Sequence, residues 1–347
     1  MKVALITDQH FGAREGSTIV LEHQKKFYED TFFPFLQATG IDTVITLGDF
    51  FDKRKYTNNY IIEQSKKIFF DKLAENKIQT YMIIGNHDCY FKNTLFPNTP
   101  DLLLGEYDNI YTISHPLVWE IHGTPIAMIP WICQENYDAA YDVIKNSKSD
   151  ICMGHFEISG FQMYRGVESH GGLSVSLFDR YDMVFSGHYH HRSTKGNITY
   201  LGTPYEMTWQ DYADPKGFHV FDLETRELTF IGSNLTMYKK IEYNDDNPVV
   251  IDPYSVKDCY VKVIVVKKKD FYRFDQFINS LEQYAIEVKI IEDIGDFSDG
   301  EVSDNISLED TQTVLEHYID SVQTDIDKGK LKNYIQSLFT EAVNLDV

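Results

Sequence analysis

Five times before residue 191, a hydrophobic, β-prone run ends in a short cluster of carboxylate, carboxamide or imidazole side chains. The clusters are Asp8-Gln9-His10, Gly48-Asp49-Phe50-Phe51-Asp52, Gly85-Asn86-His87-Asp88, Gly154-His155 and Gly187-His188-Tyr189-His190. This placement constrains the fold more than any other feature of the chain. Strands whose polar residues gather at one end belong to open α/β sheets, in which ligands bind beyond the carboxyl ends of the strands. The runs at residues 2–7, 43–47 and 80–84 are rich in Val, Ile, Leu, Thr and Tyr without polar alternation, as expected of strands covered on both faces. Between them, residues 18–36 and 59–73 repeat apolar side chains at spacings of three and four, for example Ile61, Ile62, Ile68, Phe69 and Leu73. That periodicity predicts crossover helices, so the chain opens β-α-β-α-β.

A β-richer stretch follows at residues 110–114, 117–121 and 125–130, with His122-Gly123-Thr124 as a hairpin turn. Residues 137–146 predict a short helix. Strand patterns resume at 151–153, 183–186 and 199–202, and residues 217–222 with 227–231 predict a closing hairpin. The expected fold class is therefore α/β, two packed sheets flanked by helices over residues 1–243. At Asn244-Asp245-Asp246-Asn247-Pro248 the composition turns polar. A second pattern of strand (260–266), helix (271–284) and strand (287–291) then predicts a small α/β unit over residues 244–291. Residues 292–305 are rich in Asp, Glu, Gly and Ser and read as an acidic flexible linker. Over 306–347, Val314, Leu315, Tyr318, Ile319, Val322 and Ile326 form one helical stripe and Leu331, Tyr334, Ile335, Leu338, Phe339 and Val343 another. Two amphipathic helices are expected there.

The net charge of −21 argues against a nucleic-acid partner at first sight, since phosphate backbones are met by clustered Lys and Arg. Its distribution weakens the objection: from Ile291 onward fourteen acids face three bases, which places −11 outside the motif region. Bound divalent cations would offset more of the local charge. No apolar run approaches the ~20 residues of a membrane span, and charge appears too early for a signal peptide, so a cytoplasmic protein is expected. Cys89, Cys133, Cys152 and Cys259 lie far apart with no CxxC pair, which suits reduced thiols rather than zinc knuckles or disulfides.

Carboxylate, carboxamide and imidazole are ligands for Mn²⁺, Fe²⁺, Zn²⁺ or Mg²⁺, and two such ions about 3.5–4 Å apart need a bridging ligand. Asp49 is the natural bridge. If locally extended, residues two apart point the same way, so Asp8 with His10 and His188 with His190 would each present two side chains to one pocket. Gly48, Gly85, Gly154 and Gly187 permit close backbone approach beside these ligands. A lone His after a strand is more often a satisfied core group, but five clusters of this chemistry in this order reverse those odds.

In succession, Asp-x-His, Gly-Asp-x-x-Asp, Gly-Asn-His-Asp, Gly-His and Gly-His-x-His, from Asp8 to His190, resemble the calcineurin-like metallophosphoesterase superfamily. A phosphoesterase followed by a small α/β unit and a helical tail is similar, more narrowly, to the SbcD-type (meiotic recombination eleven) DNA-repair nucleases. The Gly-His-Tyr-His-His-Arg run at 187–192 is similar to their T-even phage recombination-endonuclease branch. The resemblance implies a two-sheet metallophosphoesterase sandwich, a DNA-binding cap at 244–291 and an ATPase-binding tail at 306–347. It implies two divalent cations, usually Mn²⁺ with Mg²⁺ as the other option. Asp8, His10, Asp49 and His190 would hold one, and Asp49, Asn86, His155 and His188 the other. The implied reaction is metal-dependent hydrolysis of DNA phosphodiesters, exonuclease and endonuclease, in double-strand-break repair and recombination.

Within that resemblance, His87 binds no metal and is expected to stabilise or protonate the departing oxygen. Asp52 is expected to accept a hydrogen bond from His87 and keep it protonated, although some relatives carry His at this position. Lys53-Arg54-Lys55 reads either as a contact to the DNA backbone or as a solvated loop. Implied partners are duplex ends and single-stranded DNA, an SbcC-type coiled-coil ATPase and a second copy of the chain, with no membrane. The aromatic-rich residues 27–35 and 90–104 suit dimerisation or ordinary core burial equally, and the terminal stripes equally suit helices packed on their own domain. His170 and His191 occupy no ligand position. Two other functions fit the same motifs: a phosphatase or cyclic-nucleotide phosphodiesterase, which shares the metal site, and a silent scaffold, against which the complete ligand set argues.

Overall fold

The structure, a computed structural model, describes residues 1–292; the linker from residue 293 on and the helices expected over 306–347 lie outside the described residues. The chain runs through β1 (Lys2–Ile6), β2 (Thr43–Thr46), β3 (Gln79–Ile83), β4 (Ile110–Ile113), β5 (Leu117–Ile121), β6 (Thr124–Ile129) and β7 (Ile151–His155). It continues through β8 (Gln162–Tyr164), β9 (Val167–Glu168), β10 (Met183–Gly187), β11 (Ser193–Lys195), β12 (Ile198–Tyr200), β13 (Gly217–Asp222) and β14 (Leu228–Gly232). Three more strands follow, β15 (Tyr238–Asn244), β16 (Tyr260–Lys267) and β17 (Glu287–Glu292).

In the first sheet β1, β2, β3 and β4 are parallel neighbours, extended beyond β1 by antiparallel β13 and β14. In the second, β6, β7, β10 and β12 are parallel, with β5 and β11 antiparallel at the edges. Side chains alternate across each strand, and both sets are apolar. Val3, Leu5, Ile45, Leu47 and Ile83 of the first sheet meet Met128, Ile151, Met153 and Phe185 of the second in the sandwich interior. Ala4, Ile6, Val44 and Met82 turn outward against the crossover helices, while Ala127, Cys152 and Val184 turn outward against Ala140 and Ile144 of the helix Tyr137–Asn146.

Both crossover helices differ from a plain 3.6-residue period. Thr18–Phe27 passes through a π turn at Tyr28–Phe32 into Phe33–Thr39, and Asn59–Ser65 passes through another at Lys66–Phe70 into Asp71–Glu75. A π turn carries one extra residue, and here it brings consecutive large rings inward. Phe27, Tyr28, Phe32, Phe69 and Phe70 are all fully buried and pack ring against ring. The aromatic segment 27–35 is thus core, whereas Tyr90, Phe91, Phe96 and Leu102 are exposed.

A third sheet, of order β15-β16-β17, is parallel throughout and covered on one face by the helix Phe271–Glu282 through Phe274, Ile278 and Leu281. Asp270 caps that helix, accepting from the Arg273 amide at 3.0 Å. The strand Tyr238–Asn244 falls before the boundary expected at residue 244, yet it pairs with β16 and belongs to this sheet.

Candidate metal centre

Parallel strands place their carboxyl ends on one edge, and that edge is where the five clusters meet. The chain leaves β1 into Asp8, β2 into Asp49, β3 into Asn86 and β10 into His188, while His155 ends β7. Backbone and side-chain bonds lock the edges of the two sheets together. The Asp8 amide donates to Gly48 O at 3.0 Å, the His188 amide to Asp8 Oδ2 at 3.0 Å, and His155 Nδ1 to Leu47 O at 2.7 Å. Such approach leaves no space for side chains between the strand ends. A Cβ on Gly85 would lie 2.2 Å from Asp49 Oδ1, and one on Gly187 would lie 2.1 Å from Thr7 Oγ1.

The side chains do not converge by strand alternation. Asp8 and His10 have φ of 51° and 46°, and Asp49 and His188 have φ of 55° and 85°. The extended geometry expected for Asp8 with His10 and for His188 with His190 is therefore replaced by left-handed turns just past each strand. Non-glycine residues in that region carry strain of order 1 kcal/mol, which persists where the surroundings over-determine it.

The result is two adjoining donor sets. Ligand atoms of Asp8, His10 and His190 lie within 4.8 Å of one another, as do those of Asp49, His155 and His188. Asn86 Oδ1 joins the second set, 2.9 Å from His155 Nε2 and 3.0 Å from His188 Nδ1. Asp49 Oδ2 stands between the sets, 3.3 Å from His155 Nε2 and 3.8 Å from His10 Nε2. Metal bonds of about 2.1 Å place neighbouring ligand atoms about 3–3.5 Å apart, so these spacings fit divalent cations. The orphaned nitrogens fit as well: both ring nitrogens of His10 and Nδ1 of His190 are buried without a hydrogen-bond partner.

The Asp52 carboxylate does not make the expected hydrogen bond to His87, although ligand atoms of His10, Asp52 and His87 lie within 4.8 Å of one another. That carboxylate lies 3.4 Å from His10 Nδ1, and it is the Asp52 backbone carbonyl that accepts from His87 Nδ1, at 2.5 Å. The spacing is right, but the segment turns its main chain toward the imidazole. Asp52 thus supports a candidate metal ligand, and burial holds His87 below the ordinary imidazole range instead of keeping it protonated. Lys53 Nζ is paired with Glu15 at 2.7 Å, Arg54 is half-buried and Lys55 exposed. His191 Nδ1 bonds Asp214 at 2.9 Å and His170 is exposed, neither reaching the donor sets.

Several site residues were given no role by the sequence, although Asp88 closes the Gly85-Asn86-His87-Asp88 cluster. The Asp88 carboxylate is fully buried and accepts amides from Asp49, Phe50, Phe51 and Gly85 at 2.9–3.2 Å, which fixes the loop that bears Asp49. Lys216, also buried, donates to His190 O, Asp211 and Asp214, each at 2.9 Å. Arg14, Met163, Tyr164, Met207 and Thr208 line the pocket with His10, Asp49, His87 and His190, enclosing about 340 Å³.

Electrostatics follow from three carboxylates and a set of imidazoles in a dry pocket. Burial, with the negative charge of Asp49, pushes Asp8 up to about 6. Burial would also raise Asp49, but the imidazoles of His155, His87 and His10 hold it well below the usual carboxylate range. Burial disfavours charge on His10 and His155 too, yet the surrounding carboxylates prevail and push both up to about 9. His188 falls to about 3, and His190 well below its ordinary value, through burial and positive neighbours. His10, His87 and Lys53 likewise hold Asp52 below its ordinary value against the effect of burial, so negative charge rests on Asp49 and Asp52, and a divalent cation would replace the protons that otherwise neutralise it.

A family model described as calcineurin-like phosphoesterase matches residues 1–192. Exonuclease subunit 1 of Enterobacteria phage T4 is 32% identical over 349 aligned residues, spanning 99% of each chain. An SbcCD nuclease subunit of Staphylococcus epidermidis is 21% identical over 96% of this chain and 98% of its own. The DNA double-strand break repair protein Mre11 of Methanocaldococcus jannaschii is 26% identical over 64% of this chain and 63% of its own.

Proposed function

The chain belongs to the calcineurin-like phosphoesterase family, and from that premise we propose that it is a metal-dependent DNA nuclease hydrolysing phosphodiester bonds in recombination and repair. The observation that carries this reading is the gathering of Asp8, His10, Asp49, Asn86, His155, His188 and His190 into two adjoining donor sets, in a chain aligned end to end with a phage exonuclease subunit. Asp8, His10, Asp49 and His190 would hold one cation and Asp49, Asn86, His155 and His188 a second, both Mn²⁺ in this reading. Bound there, such ions supply water activated at neutral pH and charge neutralisation at phosphorus.

The protein's own groups do the rest. His155 is fixed by Leu47 O so that Nε2 points to the site, and Asp52 braces His10. His87 is anchored through Nδ1 to the Asp52 carbonyl, and its Nε2 makes no hydrogen bond among the described residues. That nitrogen is the group we assign to the departing oxygen. Neutral in the resting pocket, it takes up charge as the anionic phosphodiester enters.

Two further assignments belong to the same reading. The third sheet acts as a cap toward DNA, and residues 306–347 bind a coiled-coil ATPase of the SbcC type, the T4 and SbcCD relatives being subunits by name. Self-association would use the exposed Tyr90, Phe91, Phe96 and Leu102. The test is cleavage of end-labelled duplex and single-stranded DNA with Mn²⁺ or Mg²⁺, wild type against His87→Ala, with a phosphoprotein and a small phosphodiester as comparison substrates. DNA cleavage under Mn²⁺ that collapses in the variant is expected. Hydrolysis of the comparison substrates alone would refute the nuclease assignment.

A further inference from the structure

The face of the third sheet turned away from its helix carries three lysines side by side. Lys240 of β15 is in register with Lys262 of β16, and Lys262 with Lys289 of β17. Like charges directly across neighbouring strands repel, so the arrangement works against the sheet that bears it. None of the three forms an ion pair among the described residues. By contrast Lys267, Lys268 and Lys269, at and just past the end of β16, are all paired with Asp246 or Glu292. Glu242 and Glu287 share the lysine-bearing face two positions away, yet neither is bonded to these lysines.

Two of these cations, Lys262 and Lys240, rest on aromatic rings instead. Lys262 Nζ is 4.0 Å above Trp209 and Lys240 Nζ is 4.6 Å above Tyr212. Arg14 continues the pattern at the rim of the metal pocket, its guanidinium 4.6 Å above Tyr260 and 3.2 Å from the Tyr238 hydroxyl. Rings link these positions, Tyr260 on Tyr238 at 5.6 Å and Tyr238 on Trp209 at 4.8 Å. The loop that delivers Arg14 is strained: Arg14 and Glu15 have φ of 52° and 59°, between Gly12 and Gly16 at 96° and 73°. Burial and the charges of Lys240 and Lys289 lower the pKa of Lys262, as expected where positive charge is not neutralised.

We propose that this strip is a track for a single DNA strand, whose phosphates pass from the metal pocket to Arg14 and on over the row Lys240, Lys262 and Lys289 while unpaired bases lie beside the half-buried rings of Trp209 and Tyr212. A cationic groove interleaved with aromatic faces is the chemistry that holds single strands regardless of sequence. It also resolves the conflict between a chain of net charge −21 and a polyanionic substrate, because positive charge is concentrated beside the pocket. The track rests on the nuclease assignment and places the strand on the third sheet and Arg14, away from Lys53-Arg54-Lys55.

The test compares full-length wild type with Lys240→Gln/Lys262→Gln/Lys289→Gln and with an equally charged control, Lys2→Gln/Lys145→Gln/Lys148→Gln. Each is assayed for Mn²⁺-dependent cleavage of strands of about 24 and about 6 nucleotides across a range of NaCl, with melting temperature as the check on folding. In the ladder variant KM for the long strand should rise by about tenfold or more, and its log–log salt slope should fall by about 2, roughly 0.7 per lost phosphate contact. KM for the short strand should change less than about twofold, while Arg14→Gln should raise KM for both lengths. An unchanged slope in a folded ladder variant that still cuts DNA would overturn the track alone. So would equal losses on both lengths or in the control, or a loss confined to duplex substrates. Wild type that hydrolyses a small phosphodiester but no DNA would overturn the nuclease assignment, and the track with it.

Discussion

Gly85→Ala should disable the metal centre without unfolding the protein. The backbone at Gly85 is not in the left-handed region, so alanine meets no conformational barrier there, only steric contact. The added Cβ would fall 2.2 Å from Asp49 Oδ1, 2.3 Å from Asp49 N and 2.9 Å from Asp49 Cγ. Reaching an ordinary contact of about 3.3 Å requires Asp49 and the new methyl group to separate by about 1 Å, at roughly 1–3 kcal/mol for overpacking. Asp49 is the residue least able to move, because its Oδ2 serves both donor sets at 3.3 and 3.8 Å and its Oδ1 accepts the His87 amide at 2.7 Å. A displacement of that size at a reacting centre lowers rate by about 10²-fold. Mn²⁺ affinity measured by calorimetry should therefore fall at least about tenfold, kcat for DNA cleavage about a hundredfold, and the melting temperature by only a few degrees. A folded Gly85→Ala protein with Mn²⁺ affinity and kcat within twofold of wild type would refute the claim that this approach positions the Asp49 carboxylate between the two donor sets.

Asp52→Asn should lower Mn²⁺ affinity about 10-fold or more through His10 while leaving the pH dependence assigned to His87 in place; a shifted pH–kcat profile with unchanged affinity would restore the carboxylate–His87 pairing. Lys216→Met strands two buried carboxylates, Asp211 and Asp214, and should destabilise the protein by about 3–5 kcal/mol in urea unfolding; a loss below about 1 kcal/mol would mean that the network is not holding the His190 loop. His219 and His23 are buried and neutral, burial pushing them down to about 3 and about 4. The unfolded chain takes up these protons near pH 6.5, so their contribution is complete above that pH and is lost as pH falls from about 6.5 toward 3–4, by up to about 1.4 kcal/mol per ring per pH unit. His219→Gln should accordingly flatten stability between pH 6.5 and 4.5, measured by chemical unfolding, whereas a steeper fall than wild type would be inconsistent with a neutral ring.

The strands that carry candidate ligands were legible because they are continuously apolar, so that β1, β2, β3, β7 and β10 lie within two residues of the expected runs. The helix Tyr137–Asn146 coincides with its apolar period. β15 left a weak trace because Tyr238-Lys239-Lys240-Ile241-Glu242 places charge on both faces, one lysine anchoring to Ser255 O and the other resting over Tyr212. β8 and β9 are too short to show a period, and the first is held by a bond particular to the site, the His190 amide donating to Met163 O. The π turns add a single residue to otherwise ordinary helical spacing and reveal themselves only in which rings are buried. At the metal centre, motif chemistry pointed to the donor side chains but not to the backbone that aims them. Spacing alone cannot distinguish an Asp52 carboxylate from an Asp52 carbonyl facing His87, nor mark Asp88 and Lys216 as interior when acids and lysines are usually solvated.

Left-handed turns at Asp8, His10, Asp49 and His188 and a concentration of buried carboxylate both oppose folding, so something other than a cation must hold the site together before the cation arrives. Asp88 is the main candidate. Its two oxygens take four amides from Gly85 and from Asp49 to Phe51, which aligns the loops after β2 and β3. No solvent reaches Asp88, and burial with the charge of Asp49 raises its pKa to about 7 against the opposing pull of the Gly85 and Phe51 amides. Gly187 adds the second constraint by letting β10 close onto Thr7 and Leu47, which brings His188 to Asp8. A scaffold fixed from behind in this way holds the candidate donor atoms near the spacings a divalent cation needs, so binding one would call for little rearrangement of the pocket.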